Sequence, residues 1–283
     1  MKIAVTGATG QLGSLVINAL KARTASANIV ALVRKPEKAA SLGVEARAFD
    51  YSQPEALAAA LAGIDALLLV SSNEIGQRGA QHRNVIEAAK KAGVSWIVYT
   101  SLLHADTSAI TALSGEHLDT EAALKASGID YTILRNGWYT ENYTGSVAGA
   151  VQGGAFLGSA GTGRISSATR ADYAEAAAVV LTTPGHRNKT YELAGDVAYT
   201  LADLAAEISR QTGKTIPYKN LPEAEYAKVL EGFGLPAGLA AAFASFDTGA
   251  AQDALYDKAG ELSRLLGHPT TTLATAVAAA LKA

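Results

Sequence analysis

The sequence predicts a doubly wound α/β fold: a parallel sheet with helices on both faces, joined to a smaller, mostly helical C-terminal lobe. Three observations predict it. Short apolar runs alternate with Ala-rich stretches of helical period through the first half of the chain. A glycine-rich turn, Thr6-Gly7-Ala8-Thr9-Gly10-Gln11-Leu12-Gly13, follows the first run and opens the first helical stretch. After about residue 150 the alternation gives way to glycine-crowded and then mostly helical sequence.

The expected strands are Lys2–Thr6, Asn28–Val33, Glu45–Phe49, Asp65–Val70, Trp96–Thr100 and Tyr131–Leu134. Several are apolar at consecutive positions, as strands covered on both faces are. Helices are expected between most of them, at Gln11–Arg23, Pro54–Leu61, His82–Ala92 and Gly115–Ala126. Strand alternating with helix requires right-handed crossovers and hence parallel strands. Ala92-Gly93-Val94 and Ser127-Gly128-Ile129 each place a glycine between a helix and a strand, where a left-handed cap is needed.

Gly153, Gly154, Gly158, Gly161 and Gly163 crowd a loop-like stretch. Helices are then expected at Asp172–Leu181, Leu201–Thr212, Glu223–Glu231 and Thr271–Leu281, punctuated by Pro217, Pro222 and Pro236. Residues 1–150 therefore read as the sheet domain, and residues 151–283 as a smaller lobe beside the sheet's carboxyl edge, partly interleaved with it.

A chain of 283 residues suffices for one large domain plus a lobe. With 49% apolar and 18% charged residues the composition is globular. The net charge of −2 gives no basic bias, so neither nucleic acid nor a polybasic membrane anchor is expected. Without cysteine there are no disulfides, iron–sulfur clusters or thiol catalysis, which fits a reducing compartment. Met1-Lys2-Ile3-Ala4-Val5 runs straight into a strand with no signal-peptide pattern, and the apolar run Leu273 to Leu281 is too short to span a bilayer. A cytoplasmic protein is expected.

The glycine turn has a chemical meaning in this context. Gly7 permits the tight turn, Gly10 lets backbone approach a pyrophosphate, and Gly13 lets the helix lie close to the strand. The helix N-terminus then offers free N–H groups and positive potential to phosphates. The spacing G-x-x-G-x-x-G resembles the extended and atypical short-chain dehydrogenases, so the sheet domain is expected to be a dinucleotide-binding Rossmann domain.

Roughly 20 residues beyond such a turn, an NAD site carries an acid for the ribose 2′-hydroxyl. Here the second strand ends Val33-Arg34-Lys35-Pro36, and no acid appears until Glu37. A guanidinium grips a 2′-phosphate that a carboxylate would repel. Arg34 is the expected 2′-phosphate ligand, with Lys35 or Lys38 contributing less, and NADP(H) is the expected cofactor. Asp50, after the third strand, is placed to accept from the adenine amine.

Familiar short-chain reductases protonate their product with a Tyr-x-x-x-Lys pair. None of the eleven tyrosines has Lys four residues later. The corresponding helix reads Glu116-His117-Leu118-Asp119-Thr120-Glu121, where His117 and Glu121 share a face and are expected to form an ion pair. Reducing a simple ketone builds an alkoxide that demands an acid. Reducing a quinone gives a delocalised, weakly basic hydroquinone anion that demands little. The site is thus suited to electron-poor acceptors, for which it must supply proximity and orientation.

Walls for an acceptor are expected after strands four, five and six, since ligands bind at carboxyl ends of parallel strands. They include Val70-Ser71-Ser72-Asn73-Glu74, Tyr99 to His104, and Arg135-Asn136-Gly137-Trp138-Tyr139-Thr140-Glu141-Asn142-Tyr143. The last combines three aromatics and two amides in a chain only 6% aromatic, suited to stacking on a ring and bonding its oxygens. The five histidines show no metal spacing, and no Gly-x-Ser-x-Gly elbow is present.

Longer motifs share one pattern: Gly76-Gln77-Arg78 with Gln81-His82-Arg83-Asn84-Val85-Ile86; Tyr99-Thr100-Ser101-Leu102-Leu103-His104-Ala105-Asp106-Thr107-Ser108; Leu134-Arg135-Asn136-Gly137-Trp138-Tyr139; Ala168-Thr169-Arg170-Ala171-Asp172-Tyr173; Tyr191 to Asp196; and Leu266 to Leu273. With the glycine turn and Val33-Arg34, the chain closely resembles the type 2 NAD(P)H:quinone oxidoreductases, in the NmrA-like atypical branch of the short-chain superfamily. The resemblance covers nearly the whole chain. It implies NADPH as donor, no flavin, and a quinone as the small-molecule acceptor. It implies nucleotide contacts at Gly7, Thr9, Gly10, Gln11, Leu12 and Arg34, with Ser71 and Ser72 near the nicotinamide half. Asn136, Gly137, Trp138 and Tyr139 would lie near the acceptor. His117 sits where this branch lacks the usual Tyr, and no catalytic acid is assigned. The one departure is a short connection between Ala39 and Val44. Two alternatives stay open: a reductase of triphenylmethane dyes or other electron-poor acceptors, and a non-catalytic NADP-binding redox sensor of the NmrA type. The Trp- and Tyr-rich segment favours an enzyme. The oligomeric state is left open.

Overall fold

The computed structural model describes residues 1–282. In chain order the elements are β1 (Ile3–Thr6), α1 (Gln11–Lys21), β2 (Ile29–Val33), β3 (Glu45–Ala48), α2 (Pro54–Ala60), β4 (Ala66–Leu69), α3 (Arg78–Ala92), β5 (Trp96–Leu102), α4 (Thr111–Ala126) and β6 (Asp130–Asn136). There follow α5 (Glu141–Thr144), α6 (Val147–Gly153), β7 (Phe156–Gly158), α7 (Arg170–Thr182), β8 (Lys189–Leu193) and α8 (Leu201–Thr212). The chain continues through β9 (Tyr218–Asn220), α9 (Glu223–Gly232), α10 (Ala237–Ala250), α11 (Glu261–Leu266) and α12 (Leu273–Ala280). A 3-10 turn, Pro36–Leu42, fills the connection before β3.

Seven strands form one sheet in the order β3-β2-β1-β4-β5-β6-β8, every pair parallel. This is the doubly wound Rossmann-type α/β fold. The order reverses between β1 and β4, which opens a crevice at the carboxyl edge. β1, β2, β4 and β5 are buried at every position, which is why consecutive apolar residues read as strands.

One face of the sheet packs on α1 and α7 through Val16, Ile17, Leu20, Tyr173 and Val180. The other packs on α2, α3 and α4 through Leu57, Leu61, Val85, Ile86 and Leu124. Burying each such aliphatic side chain contributes about 1.5–3 kcal/mol against leaving it in water. A third cluster, including Val147, Phe156, Leu204, Ile208, Phe246 and Val277, holds the C-terminal lobe. A two-stranded parallel sheet, β7 with β9, lies within that lobe.

Sequence reading expected a loop-like stretch where β7 forms, and it assigned no strand to Lys189–Leu193. β8 is an edge strand, and its Lys189 and Thr190 are exposed. Edge strands carry polar residues against unwanted pairing and so lose the apolar signature. α7 was expected among the lobe helices but lies against α1 on the sheet, so sheet and lobe alternate along the chain. A capping box of Thr169 and Asp172 starts it. The same Asp172 accepts from the Thr271 N–H and hydroxyl, tying the C-terminal segment to the sheet layer. Among the described residues no helix is long and apolar enough to cross a membrane.

Candidate active site at the carboxyl edge of the sheet

The glycine turn ends β1. Gly7 has φ +57°, in the left-handed region that favours glycine. The Gly10 N–H donates to the Gly7 carbonyl at 2.8 Å, and Gly10 caps α1 with no side-chain hydrogen bond. The first turn of α1 also holds no acid, so its free amides and positive end are left to an anion. A Cβ on Gly13 would stand 2.3 Å from the Gly7 carbonyl oxygen. The helix therefore lies on its own turn only because residue 13 lacks a side chain. Thr9 and Gln11 are exposed at the mouth of the turn. The Leu12 side chain is buried in the core beneath α1, so only its amide remains available to a ligand.

Arg34 leaves the end of β2 with its side chain 75% exposed and lies 3.9 Å from Glu74. Lys35 and Lys38 are exposed beside it. Asp50 is half-buried after β3, and its Oδ1 accepts from the Ser52 N–H at 3.0 Å. Gln81 of α3 is buried; its Nε2 donates to Glu74 at 2.7 Å, while its Oε1 has no partner. Beneath this end of the crevice the Tyr51 hydroxyl lies 2.5 Å from Thr6 Oγ1 and 2.8 Å from the Val70 carbonyl, which joins the ends of β1 and β4. Burial pushes the Tyr51 phenol above its usual range.

Ser71 and Ser72 follow β4. The Ser71 N–H donates to Thr100 Oγ1 at 2.9 Å. Ser72 spends its polar groups on the loop itself. Its N–H donates to His82 Nε2, its carbonyl accepts from Arg78 Nε, and its hydroxyl accepts from the Glu74 N–H. Because Nε2 of His82 accepts, Nδ1 carries the proton and donates to Thr120 Oγ1 at 2.9 Å. Thr120 in turn donates to the Glu116 carbonyl. Burial, reinforced by Arg78, pushes His82 down to about 3, so it is neutral.

The expected ion pair between His117 and Glu121 does not form. His117 Nδ1 instead meets the Tyr99 hydroxyl at 2.7 Å, and burial holds it well below its usual pKa. Glu121 turns to Arg135, which grips it through Nε and Nη2 at 2.9 and 2.8 Å, and accepts from Ser101 at 2.6 Å. A bidentate guanidinium satisfies a buried carboxylate better than one imidazole does. Arg135 also donates to Glu192 at 2.8 Å and pairs with Asp106 at 3.2 Å. Ser101, Arg135 and Glu192 stand in one register row across β5, β6 and β8, so the sheet itself aligns this network.

Asn136 ends β6. It is buried, and its Oδ1 has no partner. The Gly137 N–H is spent on the Leu193 carbonyl at 2.7 Å, and a Cβ there would stand 2.9 Å from the Tyr173 hydroxyl. Gly137 is thus required by packing. Trp138 stays half-buried with its ring edge-on to Phe246, centroids 5.6 Å apart. Tyr139 meets Tyr173 edge-on at 5.4 Å, under the Arg170 guanidinium. Tyr143 is buried and donates to Asp247 Oδ1 at 3.1 Å, while the Ser159 N–H donates to Oδ2 at 2.8 Å. Burial pushes the Asp247 carboxyl up to about 6. The three aromatics therefore divide between the sheet and the lobe and join the two.

The structure brings Arg34, Asp50, the glycine turn, Ser71 and Asn136 to one edge of the sheet. It adds Glu74 and Gln81, which sequence reading did not single out as ligands. Only folding places Gln81 beside Glu74, and a glutamine in a helix carries no local signal. The cradle fits a dinucleotide on two counts. The helix N-terminus has no side chain of its own over it, and the buried amide oxygen of Gln81, beside Glu74, has no partner among the described residues.

A family model described as NAD(P)H-binding matches residues 7–184. Quinone oxidoreductase 2 of Escherichia coli is 55% identical over 278 residues, covering 97% of each chain. A crystal structure of an NADPH-dependent quinone oxidoreductase from Escherichia coli, complexed with NADPH, superposes with a TM-score of 0.96 at 55% identity, covering 99% of each chain. A triphenylmethane reductase from Citrobacter superposes with a TM-score of 0.95 at 39% identity, covering 100% of each chain.

Proposed function

The chain belongs to the type 2 NAD(P)H:quinone oxidoreductases within the NAD(P)H-binding family, and from that premise we propose that it uses NADPH to reduce a quinone to the hydroquinone without flavin. The observation that carries this is likeness over nearly the whole chain, 55% identical in sequence and superposing in fold, to the Escherichia coli NADPH-dependent quinone oxidoreductase. When bound, NADPH supplies the hydride. Everything else falls to the chain's own groups.

The amides of Gln11, Leu12 and Gly13 hold the pyrophosphate, and Gly7, Thr9 and Gly10 shape the turn that lets it approach. Arg34 grips the 2′-phosphate, and Asp50 accepts from the adenine amine. Ser71 serves the nicotinamide half through its hydroxyl. Ser72 shapes that wall through the loop it anchors, since its polar groups are already engaged. On the acceptor side, Trp138 gives a ring for a planar quinone to lie against, and Tyr139 and Gly137 set the wall's position. The free Oδ1 of Asn136 can accept from a hydroxyl such as that of the hydroquinone, and an asparagine NH2 is the kind of donor a quinone carbonyl takes. Histidines 82 and 117 are held neutral, and their protons are engaged in or set by buried hydrogen bonds. That arrangement suits an acceptor whose reduced form needs little proton help.

The reading includes a cytoplasmic location, with which the cysteine-free sequence is consistent. The likeness to the triphenylmethane reductase favours a second activity on cationic dyes. Steady-state NADPH consumption tests both: turnover is expected with 1,4-naphthoquinone, and little with a simple ketone. Turnover with a dye but no quinone would establish the dye reductase instead. Tight NADPH binding with neither acceptor consumed would establish the sensor.

A further inference from the structure

We propose that Glu74 sets how strictly this enzyme prefers NADPH over NADH, by competing with the 2′-phosphate for Arg34. The proposal rests on Arg34 as the 2′-phosphate ligand.

Strands β2 and β4 flank β1, so Arg34 and Glu74 leave the sheet on either side of the glycine turn. Their charged groups approach to 3.9 Å, a contact of charges rather than a hydrogen bond. Glu74 is not free to leave. Its other carboxylate oxygen accepts from the buried Gln81 at 2.7 Å, and its N–H donates to Ser72 Oγ. The loop around it is fastened further. Ser72 is bonded to His82 and Arg78, the Glu74 carbonyl accepts from the Gln77 and Arg78 N–H groups, and the Gly76 N–H donates to Glu116. A carboxylate is thus fixed beside the guanidinium that must receive the phosphate.

The consequence is differential. A 2′-phosphate must draw Arg34 away from Glu74 and settle near a like charge. A 2′-hydroxyl does neither, so NADH leaves the pair intact. Glu74 therefore subtracts from NADPH affinity and spares NADH, which narrows a preference that Arg34 alone would make wide. The pair is half-exposed, so the effect is modest and weakens with salt.

Calorimetric titration of the full-length protein with NADPH and with NADH tests this. Glu74→Gln keeps an acceptor for Gln81 and removes the charge. It is expected to tighten NADPH about two- to fivefold at low salt, less at high salt, and to leave NADH unchanged. Glu74→Ala, at an exposed position, should act in the same direction if the glutamine variant folds poorly. Unchanged or weaker NADPH binding in both variants overturns the proposal. Arg34→Ala separates the two readings. If it selectively weakens NADPH while Glu74→Gln does nothing, only the role of Glu74 fails. If it weakens both coenzymes equally, the assignment of Arg34 fails, and that of Glu74 with it.

Discussion

In the proposed site, the choice of coenzyme rests on one exposed guanidinium, that of Arg34. Replacing it by Ala should weaken NADPH binding by about 1–3 kcal/mol, the scale of a charged hydrogen bond discounted for exposure, with NADH spared. Isothermal titration with both coenzymes checks this. In the same proposal Trp138 has the matching part for the acceptor. Trp138→Ala should raise the quinone KM while NADPH affinity stays within about twofold, because the ring touches Phe246 of the lobe and not the glycine turn. A lower melting temperature with unchanged kinetics would make it a packing residue. The sequence made Gly7 and Gly13 legible because backbone geometry dictates glycine at those positions locally. It misread His117 and Glu121, since shared helical spacing does not reveal that Tyr99 and Arg135 compete for them from neighbouring strands. It named Glu74 only as part of an acceptor wall and Gln81 only within a motif, because their contact depends on the loop after β4 folding back on α3.

The loop after β4 and the helices α3 and α4 form one hydrogen-bonded unit through Ser72, His82 and Thr120. Burial pushes its central imidazole down to about 3 in the fold, against an ordinary 6.5. The unfolded chain therefore binds one more proton between those values, and stability falls as pH drops through that window. Denaturant unfolding between pH 7 and 4 should show a lowered midpoint, with a shallower fall in His82→Gln. Identical slopes in variant and wild type would refute this account of His82. Strands buried at every position, β1, β2, β4 and β5, were readable from consecutive apolar residues. β8 was not, because an edge strand looks polar. α10 was not, because its Ala-rich run shows no clear apolar stripe.

Polar contacts join the sheet layer to the C-terminal segment through Asp172 and Thr271, and others brace each part. Arg135 of β6 ties α4 and β8 through Glu121 and Glu192, and within the lobe Tyr143 and Ser159 engage Asp247 of α10. Asp247 titrates at about 6 in the fold against 3.8 ordinarily. The folded state therefore holds an extra proton between those values, and stability is lost as pH rises through them. Asp247→Asn should raise the melting temperature at pH 8 and converge on wild type near pH 4. A uniform loss at both would show that the carboxylate's hydrogen bonds outweigh its burial cost. The overall architecture was legible because the alternation of strand and helix leaves few topologies, but the chain's return to the sheet through α7 and β8 depends on tertiary packing. The central claim is that this one assembly of sheet and lobe passes hydride from NADPH directly to a quinone. Anaerobic mixing of the flavin-free protein–NADPH complex with naphthoquinone, followed over a single turnover, tests it most directly. We predict one NADPH oxidised per hydroquinone formed, slowed when the nicotinamide C4 carries deuterium. A complex that binds NADPH tightly and leaves both reactants unchanged would contradict it.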